Sequence, residues 1–577
     1  MFDSGPGGRF RYLVFLAPFL LSQLAFYAIV FEPRQSLFYA QSRGVAEQVG
    51  RSLAGDLEYL LSRNVPLEIV PNLPRHLEGL RESLPVIGHL AVIGPDGHLL
   101  ASAGENPNWA ASSPGLRLSL PLSGEAGGVE ITLSSHGLRL ATLRVMLDSL
   151  TMTLVASLLL VELTRLIIIR ADRDGGRPWT EKPQVMRPLA FICLFAMDMS
   201  FSFIPLRMAE ISPVLLGLPE SVVLGLPISA EMLMVGLATI GGGFLVGRVA
   251  GWRFLFLSGL LMMAVGYVLS GLAGGAAFYI AARAVSGLGY GLLNLGASIF
   301  VITRAGQKEK GSGMGELTAG FFAGSLCGCA AGGLMADRLG FAPVFYAATF
   351  IFLTVWFLVL IFFPKSPATS PATSEMESSR LSLRTLLGFV GDRQVVNMSL
   401  TQVLPIAIVT VGLLNYFLPI YMSRIGAGPA AIGQLNILFS LVIIFAGPRF
   451  GRAIDASGRK YAYLILGGLF AALALPSFFL IPALGGIITG IFFLALSSSI
   501  SENGHPAYLL RLPTAIKLGV GPSISLYTAL IRLGQVLGPM AVAAALNFGG
   551  QKGLAWLGAV IVVLNIIFGL MARKAET

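Results

Sequence analysis

Charge is what this sequence has least of. Of 577 residues only 12% are Asp, Glu, Lys or Arg, about half the roughly 25% found in soluble proteins. With 55% hydrophobic residues and a mean hydropathy of +0.76, that deficit excludes a soluble globular chain and a disordered one. Cysteine is nearly missing. Cys193, Cys327 and Cys329 all lie in apolar runs, so no disulfide framework is expected. No nucleophile–base pair, metal signature, phosphate loop or nucleotide motif is legible, which argues against an enzyme, a cofactor and ATP-driven work. Residues 32–145 contain no lysine, although arginine runs through them. Glycine is abundant, at 69 residues, and small residues let membrane helices approach closely.

The apolar character is uneven. Tyr12 to Phe31 is an apolar run behind Arg9 and Arg11, with Glu32-Pro33-Arg34 directly after it. The flanks and length favour an uncleaved anchor over residues 1–31 rather than a signal peptide. Residues 32–145 read as soluble protein, and 146–169 as the next span. Leu37, Val45, Val49, Leu53, Leu57 and Leu61 recur at helical spacing, which predicts a long amphipathic helix. Val86 to Ile93 and Leu99 to Ala103 flank Pro95-Asp96-Gly97 and read as a hairpin. Leu116 to Leu122 and Val129 to Leu133 read as two more strands, and Leu138 to Asp148 as a helix entering the span. Four of the five histidines fall here, His76, His89, His98 and His136. Their spacing fits no metal signature, so they read as solvated or structural. This order of elements, with the unit Ile87 to Ala103 at its centre, resembles the extracytoplasmic Cache (PAS-like) sensor domains of bacterial receptors. The resemblance implies a small ligand on the sheet face. A lid or a partner-docking platform is the other reading.

After a basic linker, 170–187, apolar runs recur near 188–207, 222–246, 253–274, 277–303, 313–335 and 341–364. A polar segment, 365–393, holds Ser-Pro-Ala-Thr twice and reads as low-complexity linker. Six more runs follow, near 395–422, 430–449, 461–482, 484–502, 522–547 and 554–572. This predicts a first half over 188–364 and a second over 394–577. Basic residues test the topology. Arg248 and Arg253, Arg304, Lys308 and Lys310, Arg449, Arg452, Arg459 and Lys460, Arg511 and Lys517, and Arg573 and Lys574 all fall on one side. The expected arrangement is a multi-pass protein of the bacterial inner membrane, with both termini cytoplasmic and 32–145 outside. The +10 net charge then reports orientation, not nucleic-acid binding. Thr318-Ala319, Gly324 and Gly328 recur 210 residues later as Thr528-Ala529, Gly534 and Gly538, and repeated halves with a site between them mark transporters.

Gly451-Arg-Ala-Ile-Asp455-Ala-Ser-Gly458-Arg459-Lys460 resembles the loop motif Gly-x-x-x-Asp-x-x-Gly-Arg-Lys of the major facilitator superfamily. In that family the loop helps control switching between conformations, with Asp455 expected to accept from helix N-termini or basic groups. The corresponding first-half loop keeps Gly243 and Arg248 but has Gly247 where Asp is expected. Arg283 with Gly287 resembles the family's Arg-x-x-x-Gly segment linked to proton coupling. Gly324, Gly328, Gly332 and Gly333 resemble its glycine-rich antiporter segment, with Cys329 in place of the usual Pro. Gly534, Gly538 and Pro539 form the second-half counterpart. The resemblance implies a polytopic helical bundle of 6+6 spans. Two extra helices around the small α+β domain raise the total to fourteen.

Ionisable residues inside spans are functional candidates. Asp198 lies 11 residues after Arg187, about 16 Å along a helix and near the midplane of a roughly 30 Å core. Glu231 lies at similar depth. Either can carry a proton, with Arg283 biasing it. A structural ion-pair network is the competing reading. Arg283 and Arg532 facing one cavity would favour an anionic solute. Gln402, Asn415 and Asn436 are weaker candidates, and the polar run Ser497 to Ser499 with Glu502 and Asn503 can line a path or bind helices together. The expected function is proton-coupled export of a small organic solute, regulated from outside. Expected partners are lipid, solute, protons and a small ligand of the outer domain. A receptor on a transporter fold, needing a separate signalling partner, and an importer of a small organic anion are the alternatives.

Overall fold

The computed structural model describes residues 43–576 except for 64, 67–69, 71, 85–86, 95, 105–116, 123–126, 172–177, 212, 246–250, 306–309, 364–388, 390 and 482. The first apolar run and Leu37 therefore lie outside the described residues. The chain divides into two compact units, Met1–Thr153 and Leu154–Thr577.

In the N-terminal unit, helix α1 (43–62) and helix α2 (Leu73–Ser83) accompany four strands. These are β1 (Ile87–Ile93), β2 (Leu99–Ala103), β3 (Arg117–Pro121) and β4 (Gly128–Leu133), in the antiparallel order β2-β1-β4-β3. The β1–β2 turn needs Gly97, whose φ of +76° disfavours a side chain. Alternation divides the sheet into two faces. Leu90, Val92, Val129 and Ile131 join Leu53, Leu57 and Leu77 in an apolar core. Of the helical stripe, Leu53 and Leu57 are buried but Val45 is exposed, so the stripe ends short of its expected start. The other face is polar. His89 pairs with Thr132, and Arg117 reaches Glu130 at 2.5 Å. Burial holds the His89 imidazole below its ordinary pKa, against the pull of Glu130.

Helix α3 (Ser135–Ala171) is one unbroken element, in which the helix expected over 138–148 runs straight into the span expected over 146–169. Two short 3₁₀ turns lead into α4 (Met186–Asp198) and α5 (Ile204–Glu210). Then come α6 (Glu220–Leu245), α7 (Trp252–Leu272), α8 (Ala276–Arg304), α9 (Lys310–Leu339) and α10 (Phe341–Phe362). The second half holds α11 (Arg393–Arg424), α12 (Pro429–Ala456), α13 (Lys460–Leu480), α14 (Ala483–Leu509), α15 (Pro513–Leu518), α16 (Val520–Gly549) and α17 (Gln551–Glu576). Among the described residues 12 helices are long and apolar enough to cross a membrane. One is α3. The rest, with the α4–α5 pair, make six crossing elements in each half.

Two departures from regular helix matter. The run expected at 188–207 is cut after Asp198, with Met199 to Phe203 non-helical. Pro205 in the first turn of α5 lacks the N–H that would carry the helix across. Its counterpart α11 stays continuous but contains two π-helical stretches, Ser399–Val403 and Gly412–Phe417.

Glycine sets how the helices pack. A Cβ on Gly320, Gly324, Gly328 or Gly332 of α9 would collide with the carbonyl of Arg187, Phe191, Phe195 or Met199 respectively. Both series step by four, so two parallel helices touch backbone to backbone for more than three turns. The second half repeats this. A Cβ on Gly534 would lie 3.0 Å from the Leu404 carbonyl oxygen, and one on Gly538 2.8 Å from that of Ile408. Overpacking a close helix contact costs about 1–3 kcal/mol. Gly324→Val is therefore expected to lower the thermal midpoint of the detergent-solubilised protein by several degrees. Gly315→Ala, on the same helix with nothing within 4 Å of its Cβ, leaves the midpoint unchanged.

Candidate functional site

The charges of the first half gather at the cut in the α4–α5 element. Asp198 is the last residue of α4, 5% exposed, with Ser325 of α9 as its side-chain hydrogen-bond partner. Tyr267 of α7 reaches the same place. Its hydroxyl donates to the Met197 carbonyl, and Ser200 Oγ lies 3.3 Å from the same oxygen. A cut helix frees carbonyls that side chains then satisfy, a construction transporters use to build sites at the midplane.

Beside the cut, Arg283 Nη2 lies 2.5 Å from Glu231 Oε2, and both side chains are almost completely buried. Gly287, one turn along α8, sits where a Cβ would strike the Glu231 carbonyl. This gives the Arg-x-x-x-Gly spacing a physical reason. The glycine brings α6 against α8, and the arginine one turn away reaches the carboxylate on α6. The Arg283 guanidinium also lies over the Tyr267 ring at 5.0 Å. Glu231, Arg283 and Tyr267 thus form a chain ending at the carbonyl next to Asp198. Arg283 Nε and Nη1 and Glu231 Oε1 have no hydrogen-bond partner. The pair has spare donors and one spare acceptor inside the bundle.

The two arginines, which would favour an anionic solute if they faced one cavity, are held differently. Arg283 is sealed in the first half and neutralised by Glu231, because a lone guanidinium at that depth is too costly. Arg532 of α16 is half-buried and crosses to the first half. Its Nη1 is 2.8 Å from Gln535 Oε1 and 3.9 Å from Met232 Sδ, and its guanidinium lies 5.9 Å from the Tyr290 ring centre. Gln402 and Asn415 lie in the two π-helical stretches, one in each. Gln402 Nε2 donates to Asn565 Oδ1 at 2.7 Å. Asn436 is spent locally, donating to the Ile432 carbonyl one turn back at 3.1 Å. Glu502 is exposed within its span. Its neighbour Asn503 donates to Ser499 and, at 3.4 Å, to Gly447 of α12.

The halves meet along two seams. On one, Ser221 and Asn547 exchange hydrogen bonds, Tyr416 donates to the Ser221 carbonyl at 2.6 Å, and Ser229 donates to the Val536 carbonyl at 2.7 Å. Pro539 lies against Gly225 at this seam. On the other, Gly333 faces the Pro429 carbonyl and Gly433 that of Cys329. All of these lie away from the basic loops. At the basic end Arg304–Glu181, Arg253–Leu360 carbonyl, Arg511–Gly458 carbonyl and Thr514–Asp392 each stay within one half.

The second-half loop motif is folded on itself. Asp455 is 80% exposed, with Lys460 Nζ at 3.9 Å, and Lys460 donates to the Ile454 carbonyl at 3.3 Å. Of the expected partners, helix N-termini or basic groups, the structure gives Asp455 the basic group, Lys460 of its own loop. The Gly458 carbonyl accepts from Arg511, and the Arg459 backbone N–H donates to Ser457 Oγ. Gly451 lies beside the Asn503 amide. Gly243 is in the last turn of α6, and Arg248 lies outside the described residues.

Several residues escaped the sequence reading. Tyr267 and Tyr279 carried no signal beyond apolar periodicity. Glu162 did, as a carboxylate in a span. Arg187, counted only as a topology charge, is buried and paired with it. The N-terminal unit holds a cavity of about 460 Å³ between α1 and α2, lined by Leu53, Asp56, Asn72, Arg75 and His76 among others. Among the described residues no cluster of His, Cys, Asp or Glu could hold a metal.

Comparison with known proteins agrees with this architecture. The family model described as "Major Facilitator Superfamily" matches residues 188–510. The chain is similar to "Multidrug resistance protein MdtG" of Proteus mirabilis, 24% identical over 362 residues covering 61% of this chain and 85% of the relative. The same-named protein of Citrobacter koseri is 26% identical over 361 residues, covering 61% and 86%. Among solved structures, a POT family transporter in complex with a thioalcohol-conjugated peptide shares the fold. It aligns with a TM-score of 0.56 at 15% identity, over 70% of this chain and 98% of that one. The POT family transporter PepTSo aligns at 0.53 and 13% identity, over 69% and 98%. The chain belongs to the major facilitator superfamily and is a multi-pass membrane transporter, not an enzyme.

Removing one partner of a buried ion pair costs about 3–5 kcal/mol, because the other is left charged and unpaired. Arg283→Met is expected to lower the thermal midpoint strongly. Adding Glu231→Gln to it is expected to recover much of the loss, which a thermal-shift measurement on purified protein reads directly.

Proposed function

We propose that this chain is a proton-coupled secondary transporter that exports a small organic solute across the inner membrane. The supporting observation is the placement of Asp198. It ends a cut helix, one residue from the carbonyl that Tyr267 holds, while Arg283 is kept on Glu231 with Nε and Nη1 unspent. A carboxylate without a cation in the membrane interior is held at least cost with its proton, and one beside a guanidinium is held as the ion. A small shift of α8 against α4 would exchange those surroundings. Proton uptake and release would then follow the conformational cycle.

The one-sided distribution of basic residues supports an orientation with the N- and C-terminal ends in the cytoplasm and residues 32–145 outside. On that orientation the seams described above close the outer end. Half-buried Arg532 and the exposed Glu502 would then be approachable by solute from the cytoplasm. The name multidrug resistance protein, borne by the two relatives, favours export. The loop Gly451 to Lys460 acts as the conformational switch in this reading. The sheet-bearing unit resembles a Cache sensor and would regulate flux through a small ligand.

Proteoliposomes test the coupling. With a panel of amphipathic drugs outside and a pH-sensitive dye inside, the parent chain is expected to couple drug flux to proton movement. Asp198→Asn is expected to lose proton-driven accumulation at least tenfold while retaining drug-for-drug exchange. Unchanged proton-driven flux in both Asp198→Asn and Glu231→Gln would overturn the assignment.

A further inference from the structure

Helix α3 belongs to neither six-span half, yet a buried charge pair fastens it to the first. Glu162 lies inside its apolar run, 3% exposed, and Arg187 in the first turn of α4 is 7% exposed. They meet as a fork. Arg187 Nε is 3.0 Å and 3.3 Å from the two Glu162 oxygens, and Nη2 is 2.9 Å from Oε1. A helix that only anchors a domain in lipid has no use for a carboxylate, which costs several kcal/mol to bury unless it is paired. The geometry is the bidentate one that fixes direction as well as distance.

Two further observations say what the pair connects. Arg187 is the first step of the glycine ladder. Gly320 presses on its carbonyl, and the same ladder ends on Met199, the residue after Asp198. A displacement at Arg187 is therefore passed along a stiff, backbone-to-backbone contact to the cut in the helix. Val155, Leu154, Leu158 and Leu159 of α3 also share one apolar cluster with first-half and second-half residues. These are Phe191 and Leu326 of the first half, and Ile437 and Leu441 of α12 in the second. α9 and α12 are the helices that meet at one of the two seams. The apolar face of α3 lies in the cluster that spans the line along which the halves must slide.

We propose that α3 is a regulatory thirteenth element of the transport bundle. Glu162–Arg187 is its latch to the first half, its apolar face braces the α9–α12 seam, and displacing it biases the bundle between its two open states. This rests on the transport and sensor readings above. β4 ends at Leu133, and α3, which carries Glu162, begins at Ser135.

The test uses the full chain in proteoliposomes and needs no known solute. Ser229, buried and hydrogen-bonded across the closed seam to Val536, is changed to Cys as a reporter. Labelling by a membrane-impermeant maleimide is timed from the outer side. The unchanged chain, whose own three cysteines are buried, serves as control. Glu162→Ala is expected to speed labelling at least threefold. Glu162→Gln, which keeps the shape and one hydrogen bond, falls between it and the parent. The exchanged pair Glu162→Arg with Arg187→Glu returns the rate to within twofold of the parent. Equal or slower labelling in both the Ala and Gln variants, in protein that elutes as a folded monodisperse species, would overturn the latch. Flux on the same vesicles separates the two readings. A labelling change in vesicles whose parent moves no solute keeps the latch and removes the transport reading. Normal proton-driven flux with unchanged labelling removes the latch alone.

Discussion

Everything in the first half depends on how closely α4 and α9 approach. Four glycines at four-residue spacing let one backbone lie on the carbonyls of the other. In a membrane there is no hydrophobic drive between helices, so close van der Waals packing over many atoms must hold them. The ladder fixes the height and rotation of α4, and hence where it ends. Asp198, the cut behind it and the carbonyl that Tyr267 holds are all placed by that contact. Gly287 does the same for α6 and α8, and so places Glu231 against Arg283. The charged chemistry stands on contacts that carry no charge.

The second constraint is the cost of charge in a thin apolar layer. Each deeply buried cation described here has a carboxylate within reach: Arg283 has Glu231 and Arg187 has Glu162. Arg532, only half-buried, makes do with an amide, a thioether and an aromatic face. Asp198 breaks the pattern, holding only a serine as side-chain hydrogen-bond partner. Among the described residues no cation pairs directly with this buried acid, which makes it the candidate for carrying a proton.

Much of this was legible in the sequence. Apolar run lengths and the one-sided distribution of Arg and Lys predict the 6+6 bundle. The recurrence of Gly324 and Gly328 as Gly534 and Gly538 predicts that the halves share a contact, and in both halves those glycines face carbonyls of the first helix. Strands at 87–93 and 99–103 follow from the Asp-Gly turn between them. What sequence could not supply was pairing at a distance. Arg283 with Gly287 marks a spacing, and depth alone offers Arg283 both Asp198 and Glu231; only the fold shows that it pairs with Glu231. Arg187 looked like a loop cation since it opens an apolar run, and only the fold brings Glu162, 25 residues away, to it. The cut after Asp198 was hidden because apolar periodicity continues through Met199 to Phe203.

The two halves solve the same position differently, and this has a mechanical result. The first half cuts its leading helix and spends the freed groups on a polar network. The second keeps its helix whole but winds it wide at Ser399–Val403 and Gly412–Phe417. Wide turns are where helices bend, so α11 carries two hinge points within one continuous helix, where the α4–α5 element carries an outright cut. The pseudo-symmetry of the fold therefore hides a difference in how each leading helix departs from regular winding.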